Sequence, residues 1–111
     1  MAGPPVGVLA PGVQVFPHAY IGSDARLGYG TIVNTGAVVS HDCVLGDYVN
    51  ISPGALLAGA VKIGSGSLVG MGATINLEAA IGAGARIGNG ATVKSDLPPG
   101  GVVRAGATWP A

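Results

Sequence analysis

The sequence is short of charge, of cysteine and of long apolar runs, and each shortage removes a class of protein. Lys plus Arg number 5 and Asp plus Glu number 5 among 111 residues, so the formal net charge is zero and 9% of the chain is charged. An average globular domain carries roughly 25%. Without a basic excess there is no electrostatic footprint for nucleic acid or for an anionic membrane surface. A single cysteine, Cys43, rules out an internal disulfide and a multi-cysteine zinc site. A reducing, cytoplasmic compartment is the matching expectation. Hydrophobic residues reach 49%, yet no unbroken apolar stretch approaches the roughly 18 residues of a membrane span. The opening MAGPPVGVLAPG lacks the basic start and long apolar core of a signal peptide. A chain of this length makes one domain.

What the sequence does have is glycine, 21 residues, and proline, 8. Without a period, that much of both would suggest low complexity. There is a period, and it is six. From Leu9 through Val15, Ile21 and onward to Val93, every sixth residue is Leu, Ile or Val. Four places after each comes a second series, mostly small: Ala19, Ala25, Thr31, Ala37, Cys43 and so on. Three places after the aliphatic lies Gly in eight hexads and Asp in three, at Asp24, Asp42 and Asp96. Gly, and less often Asp, tolerates the left-handed backbone that sharp turns demand.

A helix cannot use a period of six, and glycine at that density costs helix stability. Short strands joined by regular corners can. The small residue stands two places before the next aliphatic, so both point to the same, inward face. Three such strands close a triangular coil of 18 residues, and coils stack at roughly 4.8 Å. The expected fold is all-β, a parallel β-helix of about five coils over residues 9–98. A cap segment, residues 1–8, precedes it and a tail, residues 99–111, follows. Pro4, Pro5, Pro11 and Pro17 crowd one end and Pro98, Pro99 and Pro110 the other, as blunted strand edges require. The unbroken register leaves no inserted loop, so any site must be built from corners and faces.

The repeat resembles the left-handed β-helix of hexapeptide-repeat acyltransferases, and the handedness comes from that resemblance. The stretch Asn34-Thr35-Gly36-Ala37-Val38-Val39-Ser40-His41-Asp42-Cys43 is similar to the signature of the sialic acid O-acetyltransferase and bacterial amino-sugar N-acetyltransferase branch. Lys94 to Val103 resembles the closing motif of that branch. The usual N-terminal domain that grips a nucleotide sugar has no counterpart in this sequence, and the ending Ala105-Gly106-Ala107-Thr108-Trp109-Pro110-Ala111 departs from the branch pattern. The resemblance implies an acetyl-CoA-dependent acetyltransferase acting on a hydroxyl or amine of a sugar or nucleotide sugar. It also implies direct transfer in a ternary complex and a homotrimer with active sites between subunits.

Candidate residues follow. His41 falls at a corner, facing out, and imidazole suits a base near neutral pH; the resemblance places the family's general base here. Asp42 is either the partner that orients the imidazole or an ordinary corner Asp. Gly59 lies one coil above His41, on the same corner, and its bare N–H suits an oxyanion. Asn50 stands where several relatives have a histidine that contacts the thioester, and it can still donate a hydrogen bond. It is thus a candidate for the oxyanion and for the cofactor. Met71 and Asn89 stack above Pro53 on one corner, which by resemblance lines the pantetheine channel of coenzyme A. Lys94 and Arg104 are the candidates for its phosphates. Cys43 belongs to the inward series and packs as a small hydrophobe. No metal is expected, because His18 and His41 are too few for the three-histidine zinc site of the γ-class carbonic anhydrases, which share the fold.

The outward aliphatics Ile32, Val38, Val44, Leu56 and Leu68 mark an interface. Two other functions fit the sequence. One is an inactive trimerisation or structural module, favoured by Asn50 and the altered tail. The other is acetyl transfer to a small non-sugar amine or alcohol.

Overall fold

The computed structural model describes residues 7–111, so most of the expected cap segment, including Pro4 and Pro5, lies outside the described residues. Every regular element in it is a two-residue strand. The strands fall into three parallel sheets, one for each side of a triangular prism. Sheet I stacks Val8–Leu9, Arg26–Leu27, Val44–Leu45, Lys62–Ile63 and Ala80–Ile81. Sheet II stacks Gln14–Val15, Ile32–Val33, Asn50–Ile51, Leu68–Val69, Arg86–Ile87 and Val102–Val103. Sheet III stacks Tyr20–Ile21, Val38–Val39, Leu56–Leu57, Thr74–Ile75, Thr92–Val93 and Thr108–Trp109. The result is an all-β solenoid, consistent with the left-handed β-helix.

The alternation works as the hexad dictates. The second residue of each strand points in and the first points out, so Ile21, Val33, Val39, Ile51, Leu57, Val69 and Ile75 are fully buried. The small series fills the corners of the triangle behind them, from Ala19 to Ala91. Two members of that series are hydroxylic and buried, and both are satisfied. Thr31 donates to the Gly46 carbonyl (2.8 Å) and accepts from the Val49 N–H (3.2 Å). Ser67 does the same with Gly82 (2.9 Å) and Ala85 (3.1 Å). Cys43 is the sulfur version: its thiol donates to the Ala58 carbonyl at 3.3 Å. It is fully buried, as the inward series requires, and burial pushes its thiol above the ordinary range.

The register runs at eighteen residues per coil until Val93, as in Ile63 opposite Ile81. It then shortens by two, so that Ile81 meets Leu97, Ile87 meets Val103 and Val93 meets Trp109. The stack therefore extends past Pro98, and the segment read as a tail supplies two further strands of a sixth coil. The shortening falls at Lys94-Ser95-Asp96. Asp96 was expected in the left-handed turn position, but it is not among the residues with positive φ. Its carboxylate instead accepts the Ala80 N–H (2.8 Å), and its carbonyl accepts the Trp109 indole N–H (3.0 Å). The six-residue pattern hides this coil because deletion of two residues shifts every later aliphatic out of phase.

Candidate active site

The three edges of the prism are the turns between sheets. Each turn but the short one at Lys94-Ser95-Asp96 has a residue with φ near +60°, three places after the inward aliphatic. On the edge between sheets I and II these are Gly12, Gly30, Tyr48, Gly66, Gly84 and Gly100. On the edge between sheets II and III they are His18, Gly36, Gly54, Gly72, Gly90 and Gly106. On the edge between sheets III and I they are Asp24, Asp42, Ala60 and Glu78, with no glycine among them. A Cβ in this conformation costs roughly 1 kcal/mol or more, so the III–I edge keeps side chains where the other two mostly avoid them.

His41 stands on that edge. Its Nδ1 lies 2.9 Å from Asp42 Oδ2, and both side chains are well exposed, at 62% and 60%. Adjacent residues in a strand diverge, but Asp42 has φ of 60° and turns back toward its neighbour. The Asp42 carboxylate reaches the ring from the corner position. An ionised carboxylate can only accept, so Nδ1 is the donor of this hydrogen bond, and in the neutral ring the lone pair is then on Nε2.

That nitrogen hangs over Gly59. A Cβ built on Gly59 would lie 2.5 Å from His41 Nε2 and 2.6 Å from its Cε1. A side chain there would have to displace the ring. The Gly59 carbonyl accepts from Glu78 N–H (3.0 Å), and the next residue, Ala60, donates to the His41 carbonyl (2.9 Å). Among the described residues, the Gly59 N–H finds no acceptor. The exposed imidazole thus covers Gly59, which is buried beneath it. Beneath the turn that holds Gly59, the Cys43 thiol ties down Ala58.

The remaining candidates lie elsewhere on the prism. Asn50 is exposed on the outer face of sheet II, in one column with Ile32, Leu68 and Arg86. That face is opposite the III–I edge. Met71 and Asn89 stack on the II–III edge, where the Asn89 side-chain oxygen accepts the Met71 N–H at 2.9 Å. Within one chain, His41, Asp42 and Gly59 come together, whereas Asn50, Met71 and Asn89 form a second group across the prism.

Of the second group, Asn89 lines a groove of about 310 Å³ at the C-terminal end of sheet II, and Asn50 and Met71 are not among its lining residues. Asn89, Leu68 and Val102 line it, and so do Arg86 and Arg104. Of the two cations singled out in the sequence, Arg104 is in the groove. Lys94 is on the III–I edge instead. Arg86 had no assigned role, and the signal for it lay in the short final coil: its strand pairs with Val102, two residues from Arg104. Two guanidiniums over an apolar floor suit a phosphate-bearing, partly apolar ligand such as coenzyme A. Among the described residues, no three His, Cys, Asp or Glu side chains converge on a metal position, and no helix is long and apolar enough to cross a membrane.

This is the coil architecture of a hexapeptide-repeat transferase. The bacterial transferase hexapeptide family (six repeats) matches residues 42–77, and the structural likeness extends over nearly the whole chain. The acetyltransferase domain of PglB from Neisseria gonorrhoeae, bound to acetyl coenzyme A, is 38% identical with a TM-score of 0.87, over 93% of this chain and 50% of that one. A histidine-to-alanine variant of GDP-perosamine N-acetyltransferase from Caulobacter crescentus, bound to CoA and GDP-perosamine, is 34% identical with a TM-score of 0.78, over 90% and 50%. WeeI from Acinetobacter baumannii is 31% identical with a TM-score of 0.72, over 87% and 51%. No match is found among curated protein sequences. The chain is thus similar to hexapeptide-repeat transferases and, among solved structures, to acetyltransferases of the amino-sugar branch. It spans about half the length of these relatives.

Proposed function

We propose that this chain transfers an acetyl group from acetyl-CoA to an amine or hydroxyl of a sugar, with His41 as general base. One observation carries the reading: Nε2 of a carboxylate-held imidazole lies against a glycine whose N–H has no acceptor among the described residues. Acetyl-CoA supplies the acyl group as a thioester. His41 Nε2 takes the acceptor's proton as its nitrogen or oxygen bonds to the carbonyl carbon. Asp42 stabilises the imidazolium that forms. The Gly59 N–H receives the charge that builds on the carbonyl oxygen. The C–S bond then breaks, and the proton passes from His41 to the departing sulfur. Cys43 forms no acyl-enzyme, because its thiol is buried and hydrogen-bonded inward.

The groove with Arg86, Arg104 and Asn89 is the proposed coenzyme A seat, with Met71 on its edge and Asn50 on the adjoining face. It lies across the prism from His41, so a second protomer has to bring the two groups together. A homotrimer, with His41 of each protomer facing its neighbour's groove, does this. The half-buried aliphatics of sheets II and III, Ile32, Leu68 and Val38, are the surfaces for that contact. Sugar acceptors are supported by the perosamine enzyme among the structural neighbours.

The test is transfer from acetyl-CoA across a panel of amino sugars and sugars, comparing the parent with His41→Ala. A fall of roughly 10²–10⁴-fold with unchanged CoA affinity is expected. Equal rates would remove His41 from the mechanism. Calorimetry with CoA separates an enzyme from an inert module, since a trimer that binds no CoA belongs to the second class.

A further inference from the structure

One large aliphatic side chain on the III–I edge packs against no part of the core. Leu77 is 61% exposed, and it is absent from the core cluster and from the apolar residues packed on it. It occupies the corner position two places after an inward aliphatic. Corners favour Gly, Pro, Asn, Asp and Ser, and from Pro11 to Asn89 no other hexad has Leu, Ile or Val there. Its place in the fold is specific. Coil by coil, the column reads Ser23, His41, Gly59 and Leu77. Main-chain hydrogen bonds fix that stacking: Ala60 N–H donates to the His41 carbonyl (2.9 Å) and Glu78 N–H to the Gly59 carbonyl (3.0 Å). The imidazole fills the space a side chain on Gly59 would take. Leu77 is therefore the next side chain above the ring in that column. At the coil spacing of roughly 4.8 Å, its Cβ lies within about 7 Å of Nε2, and its methyl groups extend beyond the Cβ.

The other side of the ring is polar. Asp42 holds Nδ1, and Asp24 stands one coil below it, exposed. Glu78 belongs to the column of Asp42, with Ala60 between them, and not to that of the ring. A reacting acyl carbon at this site has four substituents. The nucleophile is held at Nε2, the oxygen faces the Gly59 N–H, and the sulfur leads away to the neighbouring protomer's groove. The alkyl end of the acyl group takes the remaining direction, along the edge. Toward Asp42 and Asp24 it would strip water from carboxylates, which is costly. Toward Leu77 it meets an apolar wall.

We infer that Leu77 is a donor-specificity residue: its isobutyl group packs against the methyl of the acyl group and limits the chain to two carbons. A longer acyl chain runs into the same side chain. This inference rests on the acetyl-transfer reading and adds to it the residue that selects the acyl group. It also accounts for an aliphatic side chain kept in water at a corner where a small or polar residue would serve the turn.

The experiment uses the intact chain with acetyl-, propionyl- and butyryl-CoA, and reads thiol release in the presence of the best acceptor from the panel above. The parent should favour acetyl over butyryl in kcat/KM. Leu77→Ala should narrow that preference by roughly tenfold or more, the order by which one or two methylenes of pocket change discrimination. Leu77→Phe should widen the gap between acetyl and propionyl. CoA affinity by calorimetry should be the same in the parent and both variants, because the groove lies across the prism. A preference that neither variant changes overturns the inference, as does a parent that uses all three donors equally. A change of oligomer size in Leu77→Ala with the donor preference intact also overturns it, and makes Leu77 a protomer contact. Failure of the parent to bind CoA, or transfer that persists in His41→Ala, would instead sink the acetyl-transfer reading, so the two failures are distinguishable.

Discussion

Two edges of the prism obey one rule and the third breaks it. Where sheets I and II meet, and where II and III meet, glycine takes the left-handed turn position in all but one coil of each, the exceptions being Tyr48 and His18. Where III meets I, that position is Asp24, Asp42, Ala60 and Glu78. The backbone geometry is the same on all three edges, with φ between 54° and 78°. The difference lies in what each edge is used for. A glycine edge is the low-strain solution for turning a chain every six residues. An edge that keeps Cβ atoms accepts strain in order to hold side chains in place, and strain of that kind collects at functional sites. Two glycines on this edge leave no room for a Cβ: Gly22 against the His41 backbone, and Gly59 against the imidazole.

The sharpest way to break that contrast is to add one carbon on each kind of edge. Gly59→Ala should lower acetyl transfer about 100-fold or more by displacing the His41 ring, with CoA binding retained; unchanged kinetics would mean the ring is not held there for catalysis. Asp42→Asn tolerates the same turn but removes the charge. Transfer should fall at least roughly tenfold, through the lost tautomer control and lost stabilisation of the imidazolium.

Stability measurements sharpen the contrast from the other side. Ser67→Ala strips a satisfied bridge from beneath the I–II edge and should cost about 1–3 kcal/mol in chemical unfolding. Cys43→Ser keeps the donor and acceptor beneath the III–I edge and should cost less. Gly72→Ala, at φ of +65° with open space around it, should lose about 1 kcal/mol and leave transfer unchanged. Ala60→Gly should run the opposite way by a few tenths of a kcal/mol, since relief of strain exceeds the added freedom of the unfolded chain. Equal effects at positions 60 and 72 would show that the two edges are equivalent after all.

The smallest effect is electrostatic. Burial raises the folded pKa of Cys43 above its unfolded value. In alkaline solution the unfolded chain then releases a proton that the folded chain retains. Stability contributed by the buried thiol is present below the ordinary thiol pKa and declines as pH rises through it. Cys43→Ser should flatten that alkaline decline in a pH series of unfolding midpoints.

Much of this was legible in advance because a solenoid is nearly one-dimensional. A period of six places residues on a face or an edge, and a period of eighteen stacks them, so Gly59 could be set above His41 and Arg86 in line with Asn50 from counting alone. Two things escaped. The sixth coil was invisible because the turn at Lys94-Ser95-Asp96 is short by two residues, and the phase of a repeat carries no warning of where it will slip. The contact of Asp42 with His41 was open because sequence neighbours converge or diverge according to φ, and Asp is at home in both conformations.

The sequence by itself determined the inward and outward assignment of nearly every residue, for a simple reason. With strands of two residues and turns of fixed length up to Val93, hydrophobic burial leaves one register that hides the inward aliphatic series, while Val44 and Leu56 stay exposed. The tertiary structure alone decided how the side chains on one edge converge. It turned the Asp42 carboxylate onto Nδ1 and laid the ring across Gly59, because those contacts depend on backbone rotation and side-chain reach, which no periodicity encodes.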